Sequence, residues 1–445
     1  MPLHEPLLAH RNADTAFAFD RGSIITAGQY LADVTALAAR LPAAPLLNLC
    51  IDRYRFAVAL GAALIAGRTV LLPPDRTPVT LDALRGDGAL ALLTDEAERH
   101  DGPDTIIAVT TGCDPASGFA IPRIAADHPA VVLFTSGTTG TPVGTGKTWG
   151  SLCRSARAEA RALGLADQPR LSILGTVPAQ HSYGLESTVL LALQMGFAFD
   201  ASKPLFPADV RDALARLPRP RLLVTTPVHL RALCEDPVAP PPADLVLSAT
   251  APLDTALALR AETQFDAPLA EIYGCSEAGQ IAARRTTENP AWRPMVDLRM
   301  TQDHEGTWIE GGHVPGRVLL ADVIDLRADG TFLLQGRAAD LVNIAGKRSS
   351  LSHLNHHLNA VPGVTDGVFV IPDDGHAGTV TRLAAIAVAP GVAADAILAA
   401  LRERLDPVFL PRPLRLVDRL PRNPTGKLQR RQLLALLAGD EEPRR

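Results

Sequence analysis

Only four lysines occur in this chain of 445 residues, Lys147, Lys203, Lys347 and Lys427, and the other 39 of its 43 basic residues are arginine. Where any positive charge suffices, the chain uses arginine. A lysine instead supplies a compact ammonium with three rotatable donors on a flexible stem, in place of a rigid planar fork. Three of the four follow a glycine, at Gly146-Lys147, Gly346-Lys347 and Gly426-Lys427, a pattern that predicts turns. Lys427 sits in "PRNPTGKLQRRQL", Pro421 to Leu433, a proline-bounded turn flanked by arginines. An ammonium there suits a reaction in which negative charge redistributes over several oxygens as it proceeds.

A second chemistry-bearing stretch is "AVVLFTSGTTGTPVGTGKTW". Its pattern predicts a strand ending at Phe134, a loop of Thr, Ser and Gly, and a helix opening near Trp149. A glycine-rich turn between strand and helix aims several backbone N–H groups at one phosphate, and hydroxyls add further donors. Thr135, Ser136, Gly137, Thr138, Thr139 and Gly140 are the candidate phosphate ligands, with Lys147 downstream. The P-loop pattern GxxxxGK[ST] does not fit, because five residues rather than four separate Gly140 from Gly146 and the required glycine is Thr141.

Strands alternating with helices must position these stretches. From 130 to 275 the runs "AVVLF", "LSILG", "RLLVTT", "DLVLSAT" and "LAEIYG" alternate with helical patterns such as Trp149 to Leu163 and Asp254 to Phe265. That alternation predicts βαβ units and a largely parallel sheet, with ligands at the carboxyl ends of its strands. Residues 295 to 335 read as short strands and turns. After Gly336 a smaller α+β unit follows. The expected organisation is a large N-terminal α/β domain with a β-rich subdomain over 1–335 and a small mobile α+β domain over 336–445.

Composition narrows the class. Hydrophobic content of 47%, charged content of 20% and a net charge of −5 describe a globular protein without a nucleic-acid footprint. Five cysteines with no CxxC spacing argue against a disulfide framework or a zinc site and for a cytoplasmic setting. No signal peptide is legible at the start. Phe56 to Pro74 is apolar, but Arg68 interrupts it, so it reads as a core helix and a buried strand rather than a membrane span. From Arg337 onward 15 basic residues face 11 acidic ones, against 28 and 37 in the remainder. Seven of the basic residues lie between Pro411 and Arg431, a candidate face for an acidic partner.

The "TSGTTGTP" run resembles the nucleotide loop of the adenylate-forming superfamily, which comprises acyl-CoA synthetases, peptide-synthetase adenylation domains and luciferases. "EIYGCSEAG" resembles that family's Tyr-Gly-x-Thr/Ser-Glu motif at Tyr273, Gly274, Ser276 and Glu277, and "PAQHSYG" its substrate-side motif at His181, Tyr183 and Gly184. "ADVIDLRADGTFLLQGRAAD" matches its ribose aspartate, Asp-Gly turn and Gly-Arg pair at Asp322, Asp329-Gly330 and Gly336-Arg337. "NPTGKLQRR" resembles its terminal loop, with Lys427 as the lysine. The resemblance covers residues 57 to 431 and implies a two-step ligase. A carboxylic acid attacks ATP to give an acyl-adenylate and pyrophosphate, and the acyl group then passes to a thiol. It implies that Ser136, Thr138 and Thr139 hold the β- and γ-phosphates, Glu277 ligates Mg²⁺, and Tyr273 stacks on adenine. Asp322 would accept from the ribose hydroxyls with Arg337 nearby, His181 would face the acid, and Lys427 would serve adenylation.

The chain departs from the family pattern. The lysine after the loop proline is Val143, with Lys147 four residues on. The usual hinge acid is Ala339, followed by Asp340, and the usual Gly-Gly-Ala-Pro stretch reads "SATAPL". Ser248, Ala249 and Thr250 would thus narrow the floor between adenine and the acid pocket that also includes Tyr183, Gly184 and Gly274. The chain is also short, mainly before residue 130. "KTWGSL", "HSYGLES", "SATAPL", "IYGCSEAGQIA" and "LVNIAGKRSSL" together resemble the small ligases of aryl-polyene and xanthomonadin pigment clusters. That resemblance implies a hydroxybenzoate-type acid, with 3-hydroxybenzoate first, loaded onto the phosphopantetheine of an acyl carrier protein. The rival readings are a fatty or 3-hydroxyacyl ligase using CoA or a carrier protein, a P-loop-like NTPase, and a silent binding protein that keeps the fold.

Overall fold

In the computed structural model the described residues are 3–85, 88–95, 104–115, 118–136, 142–337, 341–344, 347–372, 382–422 and 428–438. The chain forms two compact units, one of residues 1–300 and 309–318, the other of residues 301–308 and 319–445. Gly336, the expected start of the smaller domain, lies within the second unit, in the strand Phe332–Arg337.

The first unit is α/β. Its apolar runs build two large sheets, as expected of a domain with parallel sheets. In the six-stranded sheet, Leu46–Asn48 lies parallel to both Val70–Leu72 and Ala91–Thr94, and Val70–Leu72 pairs in parallel with Pro129–Ser136. The helix Arg53–Ile65 starts where the Asp52 carboxylate accepts from Arg55 N–H, an N-cap that satisfies one orphan donor of the first turn. It is buried nearly all round, and Gly67 takes a φ of +66° just beyond its end, so the apolar stretch Phe56 to Pro74 is core.

The nine-stranded sheet carries the four strands that matter most here. Ser172–Gly175, Arg221–Thr225, Leu245–Ser248 and Leu269–Cys275 run parallel as consecutive neighbours. Apolar residues on both faces, including Leu174, Leu223, Val246 and Leu269 on one side and Ile173, Leu222 and Leu247 on the other, are buried between covering layers, as a parallel sheet requires. Asp254 caps the helix Thr255–Phe265 through a bond from Leu257 N–H.

The sequence pattern is corrected at one place that bears on the site. Residues Pro142–Thr148 form a strand antiparallel to Pro129–Ser136, with Pro142 opposite Ser136, so the glycine-rich loop closes a hairpin. The helix Trp149–Ala162 follows, capped by Thr148. Lys147 therefore lies in a strand and not in a turn, as does the backbone of Lys347, in Lys347–Ser350.

The second unit is α+β. Asp366–Val370 pairs antiparallel with Ala384–Val388, which pairs in parallel with Leu414–Leu416. Its core gathers Leu354, Leu358, Phe369, Ala385, Ile397 and Leu401 around that sheet. Arg415 donates to the carbonyls of Leu436 and Leu437 at the end of the last helix, Arg430–Ala438, and Arg422 pairs with Asp366 at 2.8 Å.

Candidate active site

Ser248 to Thr250, Gly274 to Glu277 and the segment of His181 to Gly184 follow the carboxyl ends of the parallel strands, whereas Thr135, Ser136 and Lys147 lie in the six-stranded sheet. Thr225 stands in register with Ser248, and Ser248 with Glu271. Thr176 follows the neighbouring strand, and its N–H bonds to Val224 O. Thr176, Thr225 and Ser248 thus form a row of hydroxyls across three strand ends, all at most 1% exposed. Thr176 Oγ1 lies 2.9 Å from Thr225 Oγ1 and 2.7 Å from His229 Nδ1. Ser248 Oγ is buried without a hydrogen-bond partner. Burial lowers the His229 pKa, with Lys203 adding to the effect, so this ring is neutral near pH 7.

The segment after Thr176 carries the substrate-side motif. His181 precedes a short helical turn, Ser182–Gly184, that runs into a π-helix over Leu185–Leu190. A π-turn inside an α-helical stretch often marks a functional site. Gly184 has no alternative: a Cβ there would lie 2.0 Å from Pro178 O. Tyr183 donates its hydroxyl to Leu247 O at 2.9 Å, which ties this motif to the strand before Ser248. Beyond Ser248, Ala249 is buried, and Thr250 is half-buried with a φ of +78°.

The Tyr273–Glu277 motif closes the fourth strand. Tyr273 is half-buried at a β-bulge and its ring is tilted against Trp292 at 5.7 Å, with the Arg284 guanidinium 4.3 Å above Trp292. At Gly274 a Cβ would meet Gly279 O at 2.3 Å, so the close pairing of Leu269–Cys275 with Gly279–Arg284 demands glycine. Ser276 is half-buried and Glu277 exposed in the turn between these strands. Lys147 links the hairpin strand to this turn, its Nζ donating to Glu277 O at 2.7 Å.

Residues 137–141 and 423–427 lie outside the described residues, and with them Gly137, Thr138, Thr139, Gly140 and Lys427, as do Ala339 and Asp340. Thr135, Ser136 and Arg337 are described by their strands alone. In the second unit Asp322 stands directly opposite Arg337 in the hairpin Asp322–Leu326/Phe332–Arg337. Asp329 accepts from Thr331 N–H and Oγ1, and Gly330 takes a φ of +80°, the tight turn expected of that Asp-Gly pair.

The P-loop rival fails on this geometry, because a P-loop delivers its phosphate to a helix N-terminus and here a seven-residue strand follows the loop. Among the described residues no group of three His, Cys, Asp or Glu could hold a metal ion. A single exposed carboxylate at Glu277 fits Mg²⁺, which keeps waters and binds through one or two carboxylates plus substrate phosphates. No described helix is long and apolar enough to cross a membrane.

Two buried features escaped the sequence reading. Arg53, 1% exposed, donates to the carbonyls of Gly175, Val177, Asp200 and Ser202 and to Thr188 Oγ1. It thereby uses a guanidinium's full set of five donors to shape the segment that leads to His181. An arginine at a helix start looks solvent-facing in sequence, and nothing marked this one. The second feature is a polar stripe on the helix Trp149–Ala162. Ser151, Ser155 and Glu159 recur every four residues on one buried face, a spacing that could have been noticed.

A family model described as AMP-binding enzyme matches residues 8–303. The 4-coumarate–CoA ligase of Rhodobacter capsulatus is 34% identical over 235 residues, 52% of this chain; the match spans 58% of that protein's length. The 4-coumarate–CoA ligase of Halorhodospira halophila is 31% identical over 322 residues, 68% of this chain and 76% of that protein. The 3-hydroxybenzoate–CoA/4-hydroxybenzoate–CoA ligase of Thauera aromatica is 26% identical over 364 residues, 71% of this chain and 68% of that protein. Among solved structures, O-succinylbenzoate Coenzyme A Synthetase from Bacillus subtilis, in complex with ATP and magnesium, aligns with a TM-score of 0.81. Its identity is 19%, over 97% of this chain and all of that one. ATP-bound MatB from Rhodopseudomonas palustris gives the same TM-score at 18% identity, over 96% and 97%. At these identities the likeness is one of fold.

Proposed function

We propose that this chain, which belongs to the AMP-binding enzyme family, is an AMP-forming acid–thiol ligase that uses ATP and Mg²⁺ and whose acid is a small hydroxylated aromatic one, 3-hydroxybenzoate first. The observation that carries the proposal is the row Thr176–Thr225–Ser248 with His229 beside it. Thr176 and Thr225 are already buried and bonded, whereas Ser248 Oγ is buried without a partner; a hydroxyl on the acid could bond it and an alkyl chain could not. A compact ring with a polar substituent matches this row. The strained Thr250 adds volume where the family has glycine, and hydroxybenzoate ligases occur among the relatives in name.

The roles follow from position. His181, Tyr183, Gly184, Ser248, Ala249, Thr250 and Gly274 shape the acid's site. Thr135, Ser136, Gly137, Thr138, Thr139 and Gly140 cradle the phosphates, Tyr273, Gly274 and Ser276 take the adenine side, and Asp322 with Arg337 serves the ribose. Glu277 holds Mg²⁺, which neutralises phosphate charge when bound. The acid's carboxylate attacks the α-phosphate and pyrophosphate leaves; a thiolate then attacks the acyl carbon and AMP leaves. Lys427 bonds the oxygens among which charge moves in the first step. The acceptor is the phosphopantetheine thiol of an acyl carrier protein in the cytoplasm, approached through exposed arginines of the second unit. Placement in a pigment pathway rests on motif resemblance alone. A second reading, CoA as acceptor, is favoured by the relatives, which are CoA ligases in name.

Pyrophosphate exchange over 3-hydroxybenzoate, 4-hydroxybenzoate, benzoate and octanoate tests the acid. The hydroxybenzoates should exceed octanoate in kcat/KM by about a hundredfold or more. Efficient exchange with octanoate and none with the benzoates would reject the reading.

A further inference from the structure

Lys147 and Glu186 lie at the centre of a buried cluster that joins the two motif segments of the first unit. Lys147 is 5% exposed and Glu186 1%. The Lys147 ammonium donates to the main-chain carbonyl of Glu277 at 2.7 Å. The Glu186 carboxylate accepts from Ser182 Oγ at 2.5 Å and Ser155 Oγ at 2.6 Å. Ser182 lies between His181 and Tyr183, so Glu186 holds the acid-side motif. Among the acidic groups around Lys147, Glu186 bears on it most strongly, and its charge opposes the fall in pKa that burial imposes.

The turn of residues 275–280 is gripped from three directions. Lys147 takes Glu277 O, the His313 ring lies 2.6 Å from Gln280 O through Nε2, and Gln280 Nε2 donates to Ser187 Oγ at 2.9 Å. Gly279 has a φ of +82°, and a Cβ there would lie 3.5 Å from a Glu186 carboxylate oxygen and 3.7 Å from the His313 ring. Burial lowers the His313 pKa and raises that of the neighbouring Glu159 to about 8, so both are neutral near pH 7.

We propose that Lys147 is a positioning residue, which with Glu186 as its buried counter-charge fixes the main chain at Glu277 and so sets how that carboxylate is presented to Mg²⁺–ATP. One of its three donors is held by a protein carbonyl. This differs from a replacement of the loop lysine absent at Val143, which would contact ATP itself. The inference rests on the assignment of Glu277 to the cation, so its test includes measurements that need no substrate.

The experiment compares Lys147→Met, Glu186→Gln and the double variant in the full chain. Three quantities are measured: melting temperature, hydrogen exchange of the 275–280 amides without ligand, and the Mg²⁺ dependence of pyrophosphate exchange. Lys147→Met should lower the melting temperature by removing the bond to Glu277 O and the attraction of Glu186 for the ammonium, speed exchange over 275–280 at least tenfold, and raise the Mg²⁺ concentration at half-maximal activity about tenfold. The double variant should recover most of the melting temperature but neither the slow exchange nor the Mg²⁺ response, because Glu277 O still lacks its donor. It also carries the test if Lys147→Met does not fold. Unchanged amide exchange in Lys147→Met, or in the double variant if only that folds, overturns the proposal, as does recovery of the Mg²⁺ response in the double variant. Slowed exchange kinetics with an intact turn would mark Lys147 as a phosphate ligand instead. If amide exchange changes as expected but the Mg²⁺ response does not, the turn is positioned by Lys147 and the assignment of Glu277 to the cation is what fails.

Discussion

Thr250 holds a φ of +78°, a conformation in which a β-branched residue is an outlier and strain is stored. Strain of this kind persists where the surroundings over-determine it, and the surroundings here are the carboxyl ends of parallel strands, with Ser248 and Ala249 buried just before it. Thr250→Gly should therefore stabilise the protein, by about 1 kcal/mol, while widening the acid pocket. A higher melting temperature together with gained exchange on longer acids would bear this out; a lower melting temperature would show that the side chain's contacts outweigh the strain. At this scale the sequence marks Thr250, whose backbone is strained, as a departure from a motif. It was misleading for Lys147, which shares the Gly-Lys dipeptide of Lys427 but sits in a strand, 5% exposed. Dipeptides carry no information about which cation a fold will bury.

The helix Trp149–Ala162 and the hairpin before it show what was and was not legible in the elements. Apolar runs and caps gave away the parallel strands and the helices, because burial and N-capping act locally. The strand Pro142–Thr148 stayed hidden: Gly144 and Gly146 weaken strand propensity, and only pairing with Pro129–Ser136 makes it a strand. The π-turn at Leu185–Leu190, which follows the close approach of Pro178 O to Gly184, was equally unreadable. The same helix supports a pH prediction. Glu159 is fully buried; Ser187 and Gln280 approach its carboxyl without a well-formed hydrogen bond, and desolvation raises its pKa to about 8. A carboxyl whose folded pKa lies above its unfolded value of 4.5 costs nothing below pH 4.5. Between there and pH 8 the unfolded chain releases a proton that the folded chain keeps, so stability falls as pH rises. Glu159→Gln should remove this slope, with melting temperatures of variant and parent diverging from pH 5 to pH 8 in the variant's favour. Parallel curves would mean that Glu159 is ionised in the fold.

Across the whole molecule the charge is segregated, with an excess of basic residues from Arg337 onward and of acidic ones before it. The second unit assigns its arginines to two kinds of work. Arg415 caps the last helix through Leu436 and Leu437 carbonyls, and Arg422 pairs with Asp366, so neither is a clean probe of docking. Arg412, Arg419 and Arg431 are exposed. An acidic carrier-protein helix would meet them through long-range attraction, which speeds encounter and is screened by salt over about 8 Å at physiological ionic strength. CoA brings its own nucleotide, whose phosphates also attract arginine, so the comparison of rates rather than salt dependence alone separates the two acceptors. With a holo carrier protein, acyl transfer should outpace transfer to CoA and slow as salt rises. Arg412→Glu and Arg419→Glu together should cut the carrier-protein rate about tenfold while pyrophosphate exchange, which needs no acceptor, stays near its parent value. The melting temperature should not change, since neither side chain is buried. Should CoA prove the better acceptor and the double reversal leave transfer untouched, these arginines are solvated surface and the relatives' thiol is this enzyme's as well.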